Sequence, residues 1–464
     1  MYLPVVPYIY VYMIQQVEYM PTPFMDWAGR VPNYTKVMHR QKLILSKKAI
    51  MILIYSYAFY LVGLIIVILL FINLEILLAV LLFAWLPVFI MLSLGLLLAV
   101  IRKPLEISRV KQIKQAKNIL KNHKAKKIAI MGSFGKTTLK ELLAQSLAQS
   151  YEVKSTPGNK NVLISHARWI CQEIDGSEEY IIFEFGEYRA GDIAKMAELV
   201  KPDYVIMTGY APNHLDSYGS IDALKKDFLS IKKAVPSSHI FASKQAEDEL
   251  KFGLPLSNIY SLNQALGRNL SNIKNSYEGI SFDVTNKKNK IMLTSQLIGK
   301  HLAPVIAFVY AFSLLQDVDK DKLVKQLADT KPYDHRLSLT NINGAWIIDD
   351  TYNGNIEGIK AGLELLKDLP ASKKIYVTPG LVEQGSEKEV VHKKIAQMII
   401  DASPNEVVLM KNSSTKIIKD ELEGRYNNKL TIIDDPLGYY KSLPYRAAGG
   451  SLFLLQNDWT DNYN

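Results

Sequence analysis

The stretch Ile128-Ala129-Ile130-Met131-Gly132-Ser133-Phe134-Gly135-Lys136-Thr137-Thr138 decides how this chain is read. A short apolar run leads into two glycines, and Lys-Thr-Thr then opens a polar, helix-favouring segment. A strand, loop and helix in that order can wrap backbone N–H groups around a triphosphate, with Lys136 as a point charge on the β/γ-phosphates and Thr137 as a Mg²⁺ ligand. Gly132, Ser133, Gly135 and Thr138 complete the loop. Its spacing is tighter than in the standard P-loop, whose first Gly would fall at Ile130, so the flanking sequence has to supply the rest of the argument.

Downstream, strand-like runs at 180–184 and 204–208 alternate with helix-like segments. That is the rhythm of a largely parallel α/β sheet with ligands at the carboxyl ends of its strands. Glu184 closes a strand in Phe183-Glu184-Phe185-Gly186, where a second Mg²⁺ ligand is needed across from the loop. His214, in Pro212-Asn213-His214-Leu215-Asp216, follows the next strand and is expected at the same sheet edge as a further metal ligand and catalytic group. Residues 280–296 read as a hairpin around Asn286-Lys-Lys-Asn289, followed by a helix over 301–315. After a break near 330–334, residues 336–350 read as a second hairpin around Asn343-Gly344, and βα units continue through 374–378, 406–410, 430–433 and 451–455.

Upstream the chain changes character. Residues 49–74 and 76–101 carry no charged side chain, and each run exceeds the roughly 20 residues that span a bilayer. They are expected to form a transmembrane helix hairpin turning at Asn73-Leu74-Glu75, with Pro87 kinking the second helix. Lys36, Arg40, Lys42, Lys47 and Lys48 precede it, and ten Lys or Arg with one acid, Glu106, lie between Arg102 and Lys127. By the positive-inside rule both ends face the cytoplasm, which implies a multi-pass inner-membrane protein with a cytoplasmic catalytic domain. The net charge of +10 is concentrated here, and beside an apolar segment it reads as a patch facing anionic lipid rather than nucleic acid. Leu105, Ile107, Val110, Ile113 and Ile119 recur at helical spacing among those bases, the pattern of an amphipathic helix lying along a membrane surface. Residues 1–14 are apolar and too short to span, which fits either a partly inserted helix or an interfacial segment. Cys171, the one cysteine of 464 residues, allows no internal disulfide and reads as a buried structural thiol in a reducing compartment.

Several motifs, in order and spacing, resemble the Mur ligase family of ATP-dependent amide-forming ligases. They are Gly132 to Thr138, Thr156-Pro-Gly-Asn-Lys-Asn161, Glu184-Phe-Gly186, His214-Leu-Asp-Ser-Tyr-Gly-Ser220, His335-Arg336 and Asp349-Asp-Thr-Tyr-Asn-Gly-Asn355. The likeness covers about 126–455. It implies a central ATP-binding domain over 126–330 and a Rossmann-like domain over 331–464, preceded by an interfacial segment and basic flank at 1–48, the hairpin at 49–101 and a basic helix at 102–125. It also implies a carboxylate that attacks the γ-phosphate to give an acyl phosphate, which an amine then displaces. Carried over, Lys136 and the loop amides hold the phosphates of ATP, Thr137 and Glu184 bind one Mg²⁺, and His214 helps bind a second. Arg336, Asp350 and Asn353 reach the nucleotide when the domains close, while Thr156, Asn159 and Asn161 face the precursor acid.

The chain departs from that family in four places. Leu302 and Val305 stand where two asparagines usually follow Gly299-Lys-His301, the second of them near the adenine. Phe228 stands where a carbamylated lysine commonly bridges two metals, with Lys225 or Lys226 reached only through a gap. Gln456-Asn457-Asp458 replaces a C-terminal Lys-Gly-Ser. Membrane segments occupy the place of the domain that grips the precursor's UDP-sugar, so a lipid-linked precursor is one expectation for the acid, with an amino acid or peptide as the amine. The alternative is a non-catalytic nucleotide-binding membrane scaffold or regulator of envelope assembly.

Overall fold

The apolar run ahead of the glycine loop is a strand covered on both faces, with Ile128, Ala129, Ile130 and Met131 wholly buried. A strand without a wet face shows no apolar-polar alternation, and this one sits in the middle of a parallel sheet. The computed structural model describes residues 6–17, 19–30, 43–158, 160–213, 215–287, 289–352, 354–381, 384, 387–426, 428–447 and 449–457. Two units separate, one reaching Lys111 and the other starting at Gln112.

In the second unit, strands β1 (Lys126–Met131), β2 (Val153–Ser155), β3 (Tyr180–Glu184), β4 (Tyr204–Met207), β5 (Ile240–Ser243) and β6 (Ile259–Tyr260) are parallel, in the spatial order β2-β3-β1-β4-β5-β6. The sheet continues antiparallel through β7 (Gln264–Ala265), β8 (Arg268–Ser276), β9 (Gly279–Asn286) and β10 (Asn289–Ser295), the last two being the expected hairpin. Register pairs Ile130 with Glu184 and Met131 with Met207, so the glycine loop, the end of β3 and the end of β4 meet at one edge.

A second sheet has the order β11-β12-β16-β13-β14-β15, built from β11 (Ser338–Ile342), β12 (Ala345–Asp350), β13 (Lys373–Thr378), β14 (Glu406–Met410), β15 (Leu430–Ile433) and β16 (Ser451–Gln456). Only β11 runs antiparallel, and apolar clusters cover both faces. The two lobes share packing. Tyr277, at the β8–β9 turn, stacks on Trp346 of β12 with centroids 4.8 Å apart and donates its hydroxyl to the Pro370 carbonyl at 2.6 Å. Ile298 is buried in the cluster of the second sheet, and Lys300 pairs with Asp368 at 2.7 Å.

The first unit is helical: α1 (Val6–Gln16), α2 (Pro21–Arg30), α3 (Lys47–Ile72) and the leading part of α4 (Ile76–Lys121). The turn at Asn73-Leu74-Glu75 is where the sequence puts it. Gly63 of α3 lets Leu86 of α4 approach so closely that a Cβ there would lie 2.3 Å from it. The apolar segment near the start belongs to the interior of this unit: Tyr10 and Tyr12 of α1 are buried, and Tyr10 donates to the Pro87 carbonyl at 3.2 Å. Helices α3 and α4 are long and apolar enough to cross a membrane by length and composition alone; many of their apolar side chains, Ile65 and Leu77 among them, are exposed.

The basic amphipathic segment is not a separate element. It is the end of α4, and Ala116, Leu120, Ile113 and Ile119 pack on the core of the first sheet. Lys117 pairs with Glu198 at 2.8 Å. Helical periodicity reveals an apolar stripe without saying what covers it; protein covers its later part, while Ile107 and Val110 are exposed.

Candidate active site

The turn into the helix α5 (Lys136–Leu147) depends on two glycines. Gly132 has φ +141°, and a Cβ there would lie 2.3 Å from the Thr208 hydroxyl oxygen. Gly135 caps α5 at φ +74°, in the left-handed region. Ser133 ties the loop to the chain after β4: its N–H donates to Gly209 O at 2.7 Å and its hydroxyl to Ala211 O at 2.8 Å. Asn213 donates to Ser133 O at 3.2 Å.

Lys136 and Thr137 each meet a carboxylate. Lys136 Nζ donates to the Gly132 carbonyl and to Glu187 Oε2, the latter at 2.8 Å. Thr137 Oγ1 donates to Glu184 Oε2 at 2.9 Å and accepts from Arg336 Nη2 at 3.0 Å. Arg336 comes from the second lobe and reaches the loop threonine of the first. It is thrown forward by a tight turn in which His335 and Leu337 have φ of +57° and +52°. Asp349 braces that turn, lying 2.8 Å from His335 Nδ1 and accepting from the Thr351 hydroxyl at 2.7 Å. Tyr352 lies under the guanidinium, 4.3 Å from it.

Other expected residues do different work. Thr156 is wholly buried, and its hydroxyl accepts the Glu184 N–H at 3.0 Å, fixing the end of β3. Asn161 is buried against Glu184, with its amide 3.5 Å from Oε1. The Asp350 carboxylate accepts from Gln456 Nε2 at 2.9 Å, within its own lobe. Gln456 also donates to Gly358 O and accepts from the Tyr376 hydroxyl, so the departure at the C-terminal element is a buried hub. Phe228 is a core residue against Tyr210, and Lys225 pairs with Glu249 at 3.2 Å, away from the loop. Leu302 and Val305 pack on an apolar cluster, offering a base no polar edge. His214, Asn353 and Asn159 lie outside the described residues. Cys171 is partly buried, its thiol held above the usual range by burial.

Two site residues escaped the sequence reading. Lys140, one turn after Lys136, is wholly buried; its Nζ donates to Thr156 O at 2.6 Å and Gly158 O at 2.8 Å and lies 3.4 Å from Glu184 Oε2. Glu187, 2% exposed, is the partner of Lys136. The i, i+4 spacing from Lys136 was the available signal for Lys140; nothing in the sequence distinguishes Glu187 from a loop acid.

Among the described residues no group of three or more His, Cys, Asp or Glu is placed to hold a metal alone. The oxygens of Thr137 and Glu184 nevertheless fit Mg²⁺, which commonly takes one or two protein oxygens and completes its shell with phosphates and water.

Burial pushes the Asp350 carboxyl up to about 7, against the opposing pull of Gln456 and Arg336. The folded state then holds this proton more tightly than the unfolded chain, so the group's contribution to stability is favourable below the ordinary carboxylate range and declines as pH rises from about 4 to about 7. Asp350→Asn removes that decline. The variant is expected to melt about 2–4 °C above the parent at pH 8 and level with it at pH 4, by differential scanning calorimetry.

With this geometry in place, comparison with known proteins defines the class. Residues 130–309 match the Mur ligase middle domain, and the chain is an enzyme similar to the ATP-dependent amide-forming ligases of that family. Among its relatives is the UDP-N-acetylmuramoyl-tripeptide–D-alanyl-D-alanine ligase of Rickettsia prowazekii, 28% identical over 316 residues, which span 66% of this chain and 70% of the relative. The Bacillus subtilis enzyme of the same name is 25% identical over 344 residues, 74% of this chain and 75% of its own. The fold is that of MurF ligase from Thermotoga maritima, solved in complex with ADP: TM-score 0.65 at 22% identity, covering 76% of this chain and 80% of that one.

These relatives overturn the expected multi-pass inner-membrane placement. The enzymes this chain matches are named for a UDP-linked precursor, a charged and water-soluble nucleotide sugar, and two apolar helices meet only a criterion that a buried core helix or a signal sequence also meets. A lipid-linked acid loses its support with it.

Proposed function

We propose that this chain joins a nucleotide-sugar-linked peptide acid of the cell envelope to an amino acid or dipeptide amine, with ATP and Mg²⁺. The observation that carries the reading is the junction of Arg336, Thr137 and Glu184, where a cation from one lobe reaches the phosphate-loop threonine of the other. A scaffold that merely holds nucleotide has no use for a second-lobe cation at that point.

In the proposed reaction the loop amides and Lys136 hold the β- and γ-phosphates, and Thr137 with Glu184 would hold Mg²⁺, which neutralises phosphate charge when bound. The acid's carboxylate oxygen bonds to the γ-phosphorus as the bond to the ADP oxygen breaks. The amine nitrogen then adds to the acyl carbon, loses a proton, and phosphate departs. Charge builds on the transferring oxygens in both steps, and Lys136 and Arg336 approach them from opposite lobes.

The test is phosphate release by the full chain, kept in detergent because α3 and α4 expose apolar side chains. Release from ATP is expected only when a UDP-muramoyl peptide and D-alanyl-D-alanine or a related amine are both present, with the amide product seen by mass spectrometry. ATP binding without product across a panel of such acids and amines would reject the ligase reading.

A further inference from the structure

Lys136 does not wait for phosphate unpaired. Its ammonium sits 2.8 Å from the carboxylate of Glu187, a side chain almost closed to solvent, and that is the ion pair Glu187 makes among the described residues. Two other cations near the loop are engaged elsewhere. Lys140 is held by two backbone carbonyls and Glu184, and Arg336 by the Thr137 hydroxyl and the face of Tyr352.

A phosphate that draws Lys136 to itself therefore strips Glu187 of its partner. A buried carboxylate without a counter-charge is strongly unfavourable, and this one would share the site with Glu184 and a polyphosphate, each also negative. Charge balance is restored if a divalent cation arrives with the phosphates.

We propose that Glu187 is the resting counter-ion of Lys136 and that, once phosphate takes the lysine, its carboxylate makes nucleotide binding conditional on a divalent cation. The inference rests on the nucleotide site proposed above. Glu187 acts through Lys136 and through charge, and is a positioning residue rather than a catalytic one. Metal-free nucleotide is disfavoured because it meets two carboxylates, and the lysine stays aimed at the loop until the metal complex enters.

The experiment is calorimetric titration of the full chain with ADP, once with excess MgCl₂ and once with EDTA, for the parent, Glu187→Gln and Glu187→Asp. In Glu187→Gln, affinity for metal-free ADP rises about tenfold or more while affinity for Mg-ADP changes within about threefold, so the ratio of the two dissociation constants collapses. Glu187→Asp, which keeps the charge, retains the parent ratio. An unchanged ratio in Glu187→Gln, or equal shifts in both conditions, overturns the proposal, because a purely structural role would move both affinities together. Should Glu187→Gln fail to fold, Lys136→Met/Glu187→Gln removes the pair as a unit, and the same collapse or its absence decides. A parent that binds no Mg-ADP would sink the nucleotide-site reading and this inference with it; a parent that binds normally while the ratio stays fixed sinks this inference alone.

Discussion

Lys136→Ala lowers substrate-dependent phosphate release by about 10³-fold, the scale on which a preorganised charge aimed at a transferring group acts. The ammonium of Lys136 is held by a loop carbonyl and by Glu187, beside the glycine loop proposed to take the phosphates. Steady-state kinetics with the parent's substrates gives the comparison, and circular dichroism checks that the fold persists. Residual activity within about tenfold of the parent would mean that the phosphates are held elsewhere, because the loop amides alone cannot replace a full charge at the γ-phosphate.

Lys140→Met has its largest effect on folding. The buried ammonium is the link between the start of α5, the carbonyls of Thr156 and Gly158, and the Glu184 carboxylate. Methionine fills much of the volume and leaves the two carbonyls and the carboxylate without their charged donor. Breaking a buried charge arrangement from one side costs on the order of 3–5 kcal/mol, so the urea midpoint of the ligase unit falls markedly. A change below about 1 kcal/mol would show that water replaces the ammonium. Nucleotide affinity falls as well, since Glu184 loses the partner that holds it beside Thr137.

How much of this was legible follows from what each residue needs in order to be read. The parallel strands announced themselves because Ile181, Ile182 and Phe183 are covered on both sides and stand as unbroken apolar runs. Strand β8, Arg-Asn-Leu-Ser-Asn-Ile-Lys-Asn-Ser, did not: most of its side chains are polar and at least partly exposed, and its pairing with β9 makes it a strand. The motif positions told where the site lies but not how its members divide the work. Thr156, a polar residue in a motif read as facing substrate, straps backbone together, whereas Lys140 and Glu187 look like solvated surface charges until the fold encloses them. A charge is buried only when its partners are, and those partners lie up to 51 positions away, as Glu187 does from Lys136. The basic end of α4 is ambiguous for the mirror-image reason, since an amphipathic face is equally suited to lipid and to a neighbouring sheet, and only its part from Ile113 onward packs on the sheet.

The contact between Tyr277 and Trp346 has a meaning for anyone who would divide this molecule. The chain's composition suggests a cut near residue 330, and topology agrees that the second sheet begins beyond it. The cut would nevertheless leave an indole without its facing ring on one fragment, and bare Tyr277 and Ile298 on the other. Neither piece would be a finished globule: each would carry the scar of a shared interior, and the seam that looks like a linker on paper is, in substance, a hinge with its pin already driven.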